Sequence, residues 1–410
     1  MDNYIAVRDA VAGIAPVDPL HILRPSSLRK AARWFLDRFP GKVLYAVKTN
    51  PDPAVLTGLY EAGIRCFDVA SIAEIRLVRS LLPDVRMCFM HTVKSREGIA
   101  AAYHDFGVRD FSLDCDAELK KILSSTGRAP DLNLFVRIAI PSTHARINLS
   151  EKFGIWGQQA VKLLQDTRKA AKKLGVCFHV GSQCMNPDAY AMAMETARDM
   201  LRRAGVEADV IDVGGGFPSL YPGMTPPPLD SYMASIRQAV IDLDLKDKVE
   251  LWCEPGRALV AESGSVVVRV ELRKGRKLYI NDGTYGSLFD AGQPGFTFPV
   301  RLIRRNGEPA GELVPFQFYG PTCDSVDSMK GPFMLPSDVR EGDYIEVGQT
   351  GAYARTFRTH FNGFGGDNMV MVGEEPQLSM YGERIPNADD WMLPLPARRV
   401  RQARRASGER

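Results

Sequence analysis

Short apolar runs of strand length recur along the chain before residue 257, and amphipathic segments separate them. Segments 71–82 and 158–174 carry apolar residues three and four positions apart, which is the period of a helix that buries one face. The eight strand-length runs are 43–47, 64–67, 87–90, 110–113, 134–139, 176–180, 210–213 and 250–253. Eight strands alternating with helices predict a closed (β/α)8 barrel of the TIM type, although an open doubly wound sheet gives the same alternation.

After residue 257 the pattern changes to β-rich runs at 266–272 and 277–280. Turn signals such as Asn281-Asp282-Gly283 and Glu341-Gly342-Asp343 separate the later runs, and no long helical period appears. Short strands punctuated by turns predict a β sandwich or β barrel. We therefore predict an α/β fold with a (β/α)8 barrel over 20–257 and a C-terminal β domain over 258–396.

Composition and charge narrow the class of protein further. The 410 residues are 45% hydrophobic and 25% charged, as in ordinary soluble domains, and neither a membrane-length apolar run nor a secretory signal is visible. The seven scattered cysteines lack the spacing of zinc ligands, which predicts reduced thiols, a cytoplasmic location and no metal site. The positive net charge lies in residues 397–410, a basic tail that we expect to be disordered, so neither a membrane nor nucleic acid is expected as a partner.

Residues that could take part in catalysis or ligand binding follow the ends of the predicted strands, where the active-site face of a barrel lies. This placement favours the barrel over the open sheet. The strings are Tyr45-Ala46-Val47-Lys48-Thr49-Asn50-Pro51, His179-Val180-Gly181-Ser182, Gly214-Gly215-Gly216, Glu254-Pro255-Gly256-Arg257 and Gly320-Pro321-Thr322-Cys323-Asp324. In this order they resemble the ornithine decarboxylase family of pyridoxal-phosphate (PLP) enzymes, which has an alanine-racemase-like barrel. The resemblance extends over roughly residues 20 to 375 and implies that residues 1–19 join the β domain.

The resemblance implies a PLP site at the end of the barrel. Lys48 would bind the cofactor covalently, Glu254 would keep the pyridine nitrogen protonated, and His179 would stack on the ring. Asp68 would orient the lysine or the ring, and Arg137 would support the pyridine side. Successive glycines let backbone amides approach a phosphate closely. The residues assigned to the phosphate are Ser182, Gly214, Gly215, Gly216, Gly256, Arg257 and Tyr353.

The pair Cys323-Asp324 indicates, by the same resemblance, which reaction the enzyme catalyses and which class of substrate it binds. By resemblance, both residues reach the barrel of the other subunit in a homodimer with shared active sites. Cys323 would protonate the substrate carbon after carbon dioxide leaves, and Asp324 would bind a distal amine, with Asp290 and Tyr285 as further substrate-binding candidates. Only two residues separate Asp290 from the motif at 281–287, fewer than in eukaryotic relatives, so the depth of the pocket stays open.

We expect a cytoplasmic homodimer that decarboxylates L-ornithine to putrescine, a step of polyamine biosynthesis. A decarboxylase of lysine or another basic amino acid, of the dual lysine/ornithine, arginine or diaminopimelate type, is an open alternative, because one methylene in a pocket changes binding by only about 1–3 kcal/mol. Glu254 and Cys323 argue against an amino-acid racemase on the same fold. The intact Lys48 and Cys323 argue against a non-catalytic decarboxylase-like regulator.

Overall fold

The computed structural model of the chain describes residues 5–140, 145–147 and 152–381. The strands, in chain order, are β1 (Leu20–Leu23), β2 (Lys42–Ala46), β3 (Cys66–Val69), β4 (Arg86–Phe89), β5 (Asp110–Leu113), β6 (Asn133–Arg137), β7 (Ala145–Ile147), β8 (Lys173–Cys177), β9 (Ser182–Cys184), β10 (Val210–Asp212), β11 (Glu250–Cys253), β12 (Gly264–Lys274), β13 (Lys277–Ile280), β14 (Val300–Ile303), β15 (Leu313–Tyr319), β16 (Ser328–Pro336), β17 (Tyr344–Val347) and β18 (Met369–Met371).

Helices alternate with the strands in the first part of the chain and become short after residue 257. They are α1 (Val7–Ile14), α2 (Pro25–Arg38), α3 (Pro53–Glu61), α4 (Ile72–Leu81), α5 (Arg96–His104), α6 (Asp116–Ser125), α7 (Gly157–Ala170), α8 (Asp188–Ala204), α9 (Leu229–Asp242), α10 (Arg257–Val260), α11 (Phe289–Gly292) and α12 (Ala354–Phe357), with 3-10 turns at Val47–Thr49, Ala261–Ser263 and Phe361–Gly363. Among these described segments, no helix is long and apolar enough to cross a membrane.

Eight parallel strands close into a barrel in the order β2-β3-β4-β5-β6-β8-β10-β11, and β11 pairs back onto β2. Each of the eight predicted runs overlaps one of these strands, so the closed barrel is confirmed and the open sheet is excluded. The helix predicted over 158–174 ends earlier, at Ala170. Leu174, the last apolar residue of the predicted helix, belongs to a strand instead. The segment from Lys173 forms β8, in which Leu174 pairs with Leu134 of β6.

The barrel interior is a packed apolar core, not a channel. Because side chains alternate between the two faces of a strand, every second residue points inward. The ring of Trp252 fills the centre and lies 4.9 Å from the ring of Phe135. At the amino-terminal ends of the strands, charged pairs close the barrel, with Lys42 Nζ 2.5 Å from Glu250 and Arg86 bound to Asp110. The candidate functional residues lie at the opposite end of the barrel, after the carboxyl-terminal ends of the strands.

The second part of the chain forms a mixed sheet in the order β14-β17-β12-β13-β15-β16. Strand β1 hydrogen-bonds to this sheet, antiparallel to β12, and not to the barrel. Helix α1 packs on the same sheet through Val7 and Val11. The sheet therefore takes in residues from both ends of the described chain, while the predicted division at 19/20 and 257/258 stays a prediction.

A buried ion network lies where the chain passes from β1 into the first barrel helix. Arg24 precedes α2, and its Nη2 lies 2.5 Å from Glu346 Oε1 in β17. Arg301 of β14 binds the other oxygen of Glu346 at 2.6 Å, and the Ser265 hydroxyl donates to Glu346 Oε1. The Arg24 and Glu346 side chains are fully buried, so this network connects the second sheet to the start of the barrel.

Candidate active site

Lys48 lies in the 3-10 turn that follows β2, at the carboxyl-terminal end of the barrel. Its Nζ donates a hydrogen bond of 2.6 Å to Asp68 Oδ2, because β2 and β3 are neighbours and Ala46 pairs with Asp68. Burial lowers the pKa of Lys48, but the negative charges of Asp68 and Glu254 outweigh this effect and raise the pKa above its ordinary value. The lysine is therefore held as an ammonium ion by Asp68.

The turn that carries Lys48 is anchored by three hydrogen bonds to the segment after β17. The Tyr353 N–H donates to the carbonyl of Thr49 at 2.9 Å, and the Asn50 side chain donates to the carbonyl of Gly351 at 2.8 Å. The Thr356 hydroxyl also donates to the Thr49 carbonyl, at 3.1 Å. Tyr353 itself faces the cleft beside Lys48. The C-terminal part of the chain thus fixes the lysine turn and supplies one wall of its cleft.

Gly214, Gly215 and Gly216 follow β10 in a tight turn that has no room for side chains. A Cβ on Gly214, which has a φ of +70°, would lie 2.0 Å from the carbonyl oxygen of Phe178, and a Cβ on Gly215 would lie 2.8 Å from the carbonyl oxygen of Glu254. Backbone amides in such a turn can contact an anion directly.

Arg257, at the start of the short helix α10, is a buried cation on the wall of the same cleft. Its Nη1 donates to the Tyr221 hydroxyl at 2.9 Å and to Asp290 Oδ2 at 2.8 Å. Burial lowers the pKa of Arg257, but its neighbours Tyr221 and Asp290 raise it above the ordinary value. Asp290, predicted to bind substrate, is thus placed against Arg257.

Glu254 and Asp212 follow or end the neighbouring strands β11 and β10, and their carboxyl groups interact. Among the described residues, neither Glu254 Oε1 nor Asp212 Oδ2 has a hydrogen-bond donor. Burial raises the pKa of Asp212 to about 7. Burial and the charge of Asp212 raise the pKa of Glu254 well above its ordinary value. The pair therefore retains a proton at neutral pH.

His179 follows β8 and is uncharged. Its Nδ1 accepts a hydrogen bond of 2.9 Å from the Gly181 N–H. Burial and the positive charges of Arg137 and Lys48 lower the pKa of His179 to about 3. Arg137, the last residue of β6, places its guanidinium 5.5 Å from the ring centre of Phe153. A neutral imidazole in this position can pack flat on the aromatic ring of a bound ligand without repelling a positive charge on that ring.

One cleft brings most of the predicted cofactor-binding residues together. Gly214 adjoins this cleft, and Asp68 accepts a hydrogen bond from Lys48, which lines it. The positive charge of Arg137 acts to lower the pKa values of His179 and Glu254 in the cleft. The cleft is lined by Ala46, Lys48, His179, Ser182, Gly215, Gly216, Phe217, Glu254, Gly256, Arg257 and Tyr353.

The predicted substrate residues Cys323, Asp324 and Tyr285 form a separate cluster on the second sheet. The Tyr285 hydroxyl donates to Asp324 Oδ2 at 2.6 Å, and this hydrogen bond and one from the Val326 N–H lower the pKa of Asp324. The Cys323 N–H donates to Asn362 Oδ1 at 3.1 Å. Cys323 is exposed and Asp324 is half-buried, and neither lines the Lys48 cleft of its own chain.

Sequence reasoning missed three residues that hold the cleft in place. Asp212 Oδ1 accepts from the Gly214 N–H at 2.8 Å, and the Tyr190 hydroxyl donates to the Gly215 carbonyl at 3.0 Å. Tyr221 binds Arg257. An acidic residue at a strand end, two positions before a glycine run, was a readable signal for Asp212. Tyr190 and Tyr221 lie in segments without a comparable signal.

The side chains of the cleft fit PLP. A nucleophilic amine is supplied by Lys48, and an anion cradle is supplied by the glycine turn beside the cation of Arg257. Within the described part of the chain, Arg257 Nε and Glu254 Oε1 are buried and lack hydrogen-bond partners, and they match a phosphate group and a protonated pyridine nitrogen. This combination at the end of a closed barrel defines a PLP-dependent enzyme.

The chain belongs to the pyridoxal-dependent decarboxylase family, whose pyridoxal-binding domain matches residues 26–261. It is a PLP-dependent amino-acid decarboxylase. Two relatives are 32% identical: the lysine/ornithine decarboxylase of Selenomonas ruminantium, over 85% of this chain and 87% of its own length, and the ornithine decarboxylase of Panagrellus redivivus, over 85% and 84%. The crystal structure of the Paramecium bursaria Chlorella virus arginine decarboxylase bound to agmatine superposes with a TM-score of 0.79 at 26% identity, covering 89% of this chain and 99% of that one.

Proposed function

We propose that this chain decarboxylates L-ornithine to putrescine, as a cytoplasmic homodimer. The observation that carries the proposal is Asp324, a half-buried carboxylate held by Tyr285 directly beside Cys323. A carboxylate in this position suits a substrate whose far end is a cation, whereas the carboxylate that diaminopimelate carries beside its distal ammonium would be repelled. The free state of all seven cysteines supports a reducing compartment.

PLP, when bound, supplies an electron sink for the pair of electrons released with carbon dioxide. Lys48 would hold the cofactor covalently through its side-chain amine, and Asp68 would stabilise the charge of the lysine. Glu254 would hydrogen-bond to the pyridine nitrogen. His179, being neutral, would cover one face of the ring, while Arg257 and the glycine turn would bind the phosphate.

The proposed homodimer supplies the residues that the Lys48 cleft of one chain lacks. We place Cys323 of the partner subunit at the mouth of that cleft, where its thiol protonates the substrate α-carbon after carbon dioxide leaves, and Asp324 of the partner subunit at the distal amine. Exposed apolar side chains near Cys323, namely Val326, Phe361 and Phe364, support an interface on this face.

Two substrate alternatives have specific support. The Selenomonas relative is named for lysine as well as ornithine, and the viral neighbour is an arginine decarboxylase. The connection between residue 287 and Asp290 contains only Leu288 and Phe289. If this connection closes the end of the substrate pocket, the shorter ornithine is preferred over lysine.

The test is to compare kcat/KM of the purified holoenzyme for ornithine, lysine, arginine and diaminopimelate in parallel. We expect the largest value for ornithine. A larger value for lysine or arginine refutes the substrate assignment and leaves the decarboxylase chemistry standing. Turnover of diaminopimelate above all others contradicts the role given to Asp324.

A further inference from the structure

Asp290 is held against a permanent cation of its own chain. Its Oδ2 lies 2.8 Å from Arg257 Nη1, and both side chains are almost completely buried, with 6% and 3% exposure. Asp290 is absent from the walls of the Lys48 cleft, whereas Arg257 is one of them. The carboxylate therefore lies behind the guanidinium as seen from the cleft.

The surroundings of Arg257 fix its direction. The guanidinium carbon lies 5.0 Å from the ring centre of Tyr353, 5.1 Å from that of Phe296 and 5.7 Å from that of Tyr221. Asp290 is fixed too, because its carbonyl accepts a hydrogen bond of 2.8 Å from the Phe296 N–H. Aromatic rings and one carboxylate thus fix the guanidinium in place. Its Nε has no hydrogen-bond partner among the described residues, so it can bind an anion.

The charge balance argues against a second cation at Asp290. A distal ammonium bound there would share one carboxylate with Arg257 and lie close to a like charge, which is unfavourable in a buried site. Asp324 has no such competitor, since its partner is the neutral hydroxyl of Tyr285. Asp290 and Asp324, the two acidic residues that the sequence suggests for binding the distal amine of the substrate, are therefore not equivalent.

We propose that Asp290 is a positioning residue that aims Arg257 at the cofactor phosphate, and that Asp324 alone binds the distal amine of the substrate. The inference rests on the proposed function for the assignment to Asp324, but the role of Asp290 toward Arg257 requires only that the chain binds PLP. Asp290 then affects cofactor affinity, and the substrate-binding determinant is a single carboxylate.

The experiment compares Asp290→Asn with the matched variant Asp324→Asn. Apoenzyme of each is titrated with PLP and, separately, with pyridoxal, which lacks the phosphate. Asp290→Asn should weaken PLP binding about tenfold or more, the size expected when a charged hydrogen bond is lost, and should leave pyridoxal binding nearly unchanged. Asp324→Asn should leave both affinities unchanged.

Steady-state kinetics at saturating PLP supply the second measurement. Asp324→Asn should raise KM for ornithine, or for whichever basic amino acid the enzyme turns over, while Asp290→Asn should not. A rise in KM for Asp290→Asn as large as for Asp324→Asn, with unchanged PLP affinity, overturns the proposal. If Asp290→Asn does not fold, Tyr221→Phe removes the other anchor of Arg257. It should weaken binding of PLP but not of pyridoxal, and unchanged PLP binding in this variant would equally overturn the proposal.

Discussion

The ammonium group of Lys48, in the turn after β2, lies 2.6 Å from Oδ2 of Asp68, which is in the adjacent strand β3. The pair explains how an amine in a partly apolar cleft keeps its charge, since burial by itself would lower the pKa of Lys48. Asp68 therefore controls when the amine becomes a nucleophile.

Replacing Asp68 by asparagine should lower the pKa of Lys48, because the neighbouring negative charge is lost and burial then dominates. The rate at which apoenzyme attaches PLP should reach its midpoint at a lower pH than in the wild type. Absorbance after mixing with PLP over a pH series measures this. Glu250→Gln is the matched control, because it removes the partner of Lys42 at the far end of the barrel. An unchanged or higher midpoint in Asp68→Asn would show that Asp68 does not set the charge of Lys48.

Asp212→Asn should change how the stability of the apoenzyme depends on pH. The folded wild type keeps a proton on Asp212 up to about pH 7, whereas the unfolded chain loses it near pH 4. This group therefore costs stability as pH rises from about 4 to about 7, and asparagine removes that cost. Thermal melts should show the variant gaining stability relative to the wild type across this window. A difference between the two that does not vary with pH would contradict the raised pKa of Asp212.

Glu346→Gln should destabilise the protein by about 3–5 kcal/mol, because the buried Arg24 would lose its partner at 2.5 Å and keep only Glu374 at 3.7 Å. Burial raises the pKa of Glu346, but Arg24 and Arg301 outweigh it and hold the pKa below the ordinary value. The stabilisation is thus present at neutral pH and is lost as pH falls below about 4. Urea denaturation measures the effect. Glu271→Gln, which breaks a more exposed pair with Arg269, should cost less than about 1 kcal/mol.

Mixing two inactive variants should restore activity if the sites are shared between subunits. Lys48→Ala removes the proposed covalent residue and Cys323→Ala the proposed proton donor, and a mixed dimer would have one intact site. With random assortment about half of the dimers are mixed, so roughly a quarter of wild-type activity should return. Failure to recover activity, with subunit exchange shown by mass spectrometry, would place the complete site within one chain.

Hydrophobic periodicity predicted the barrel because each strand carries its own apolar run and the predicted catalytic residues follow directly after those runs. The same periodicity misjudged residues 171–174, since Leu174 satisfies a helical spacing and a strand spacing equally well. The apolar run at 43–47 predicted strand through Val47, which instead begins a turn of 3-10 helix. These are local ambiguities that pairing between strands resolves.

The contacts of Asp290 could not be predicted from the sequence. An acidic residue that binds a substrate amine and one that binds an arginine of its own chain look alike in a linear string. Arg257 and Asp290 are 33 positions apart, with the long strand β12 between them. Only the folded chain shows that α11 places this carboxylate against the wall of the barrel cleft.

The bonds that join the lysine turn to residues 351–356 bear on how such enzymes can be recombined. The region matched by the family ends at residue 261, so a chimaera cut there would pair this lysine with a foreign β domain. The foreign domain would have to present a backbone N–H and a hydroxyl to the Thr49 carbonyl, and a carbonyl to the Asn50 side chain. On the proposed role of Asp324, substrate preference is therefore easier to exchange by grafting the loop around Asp324 than by exchanging whole domains.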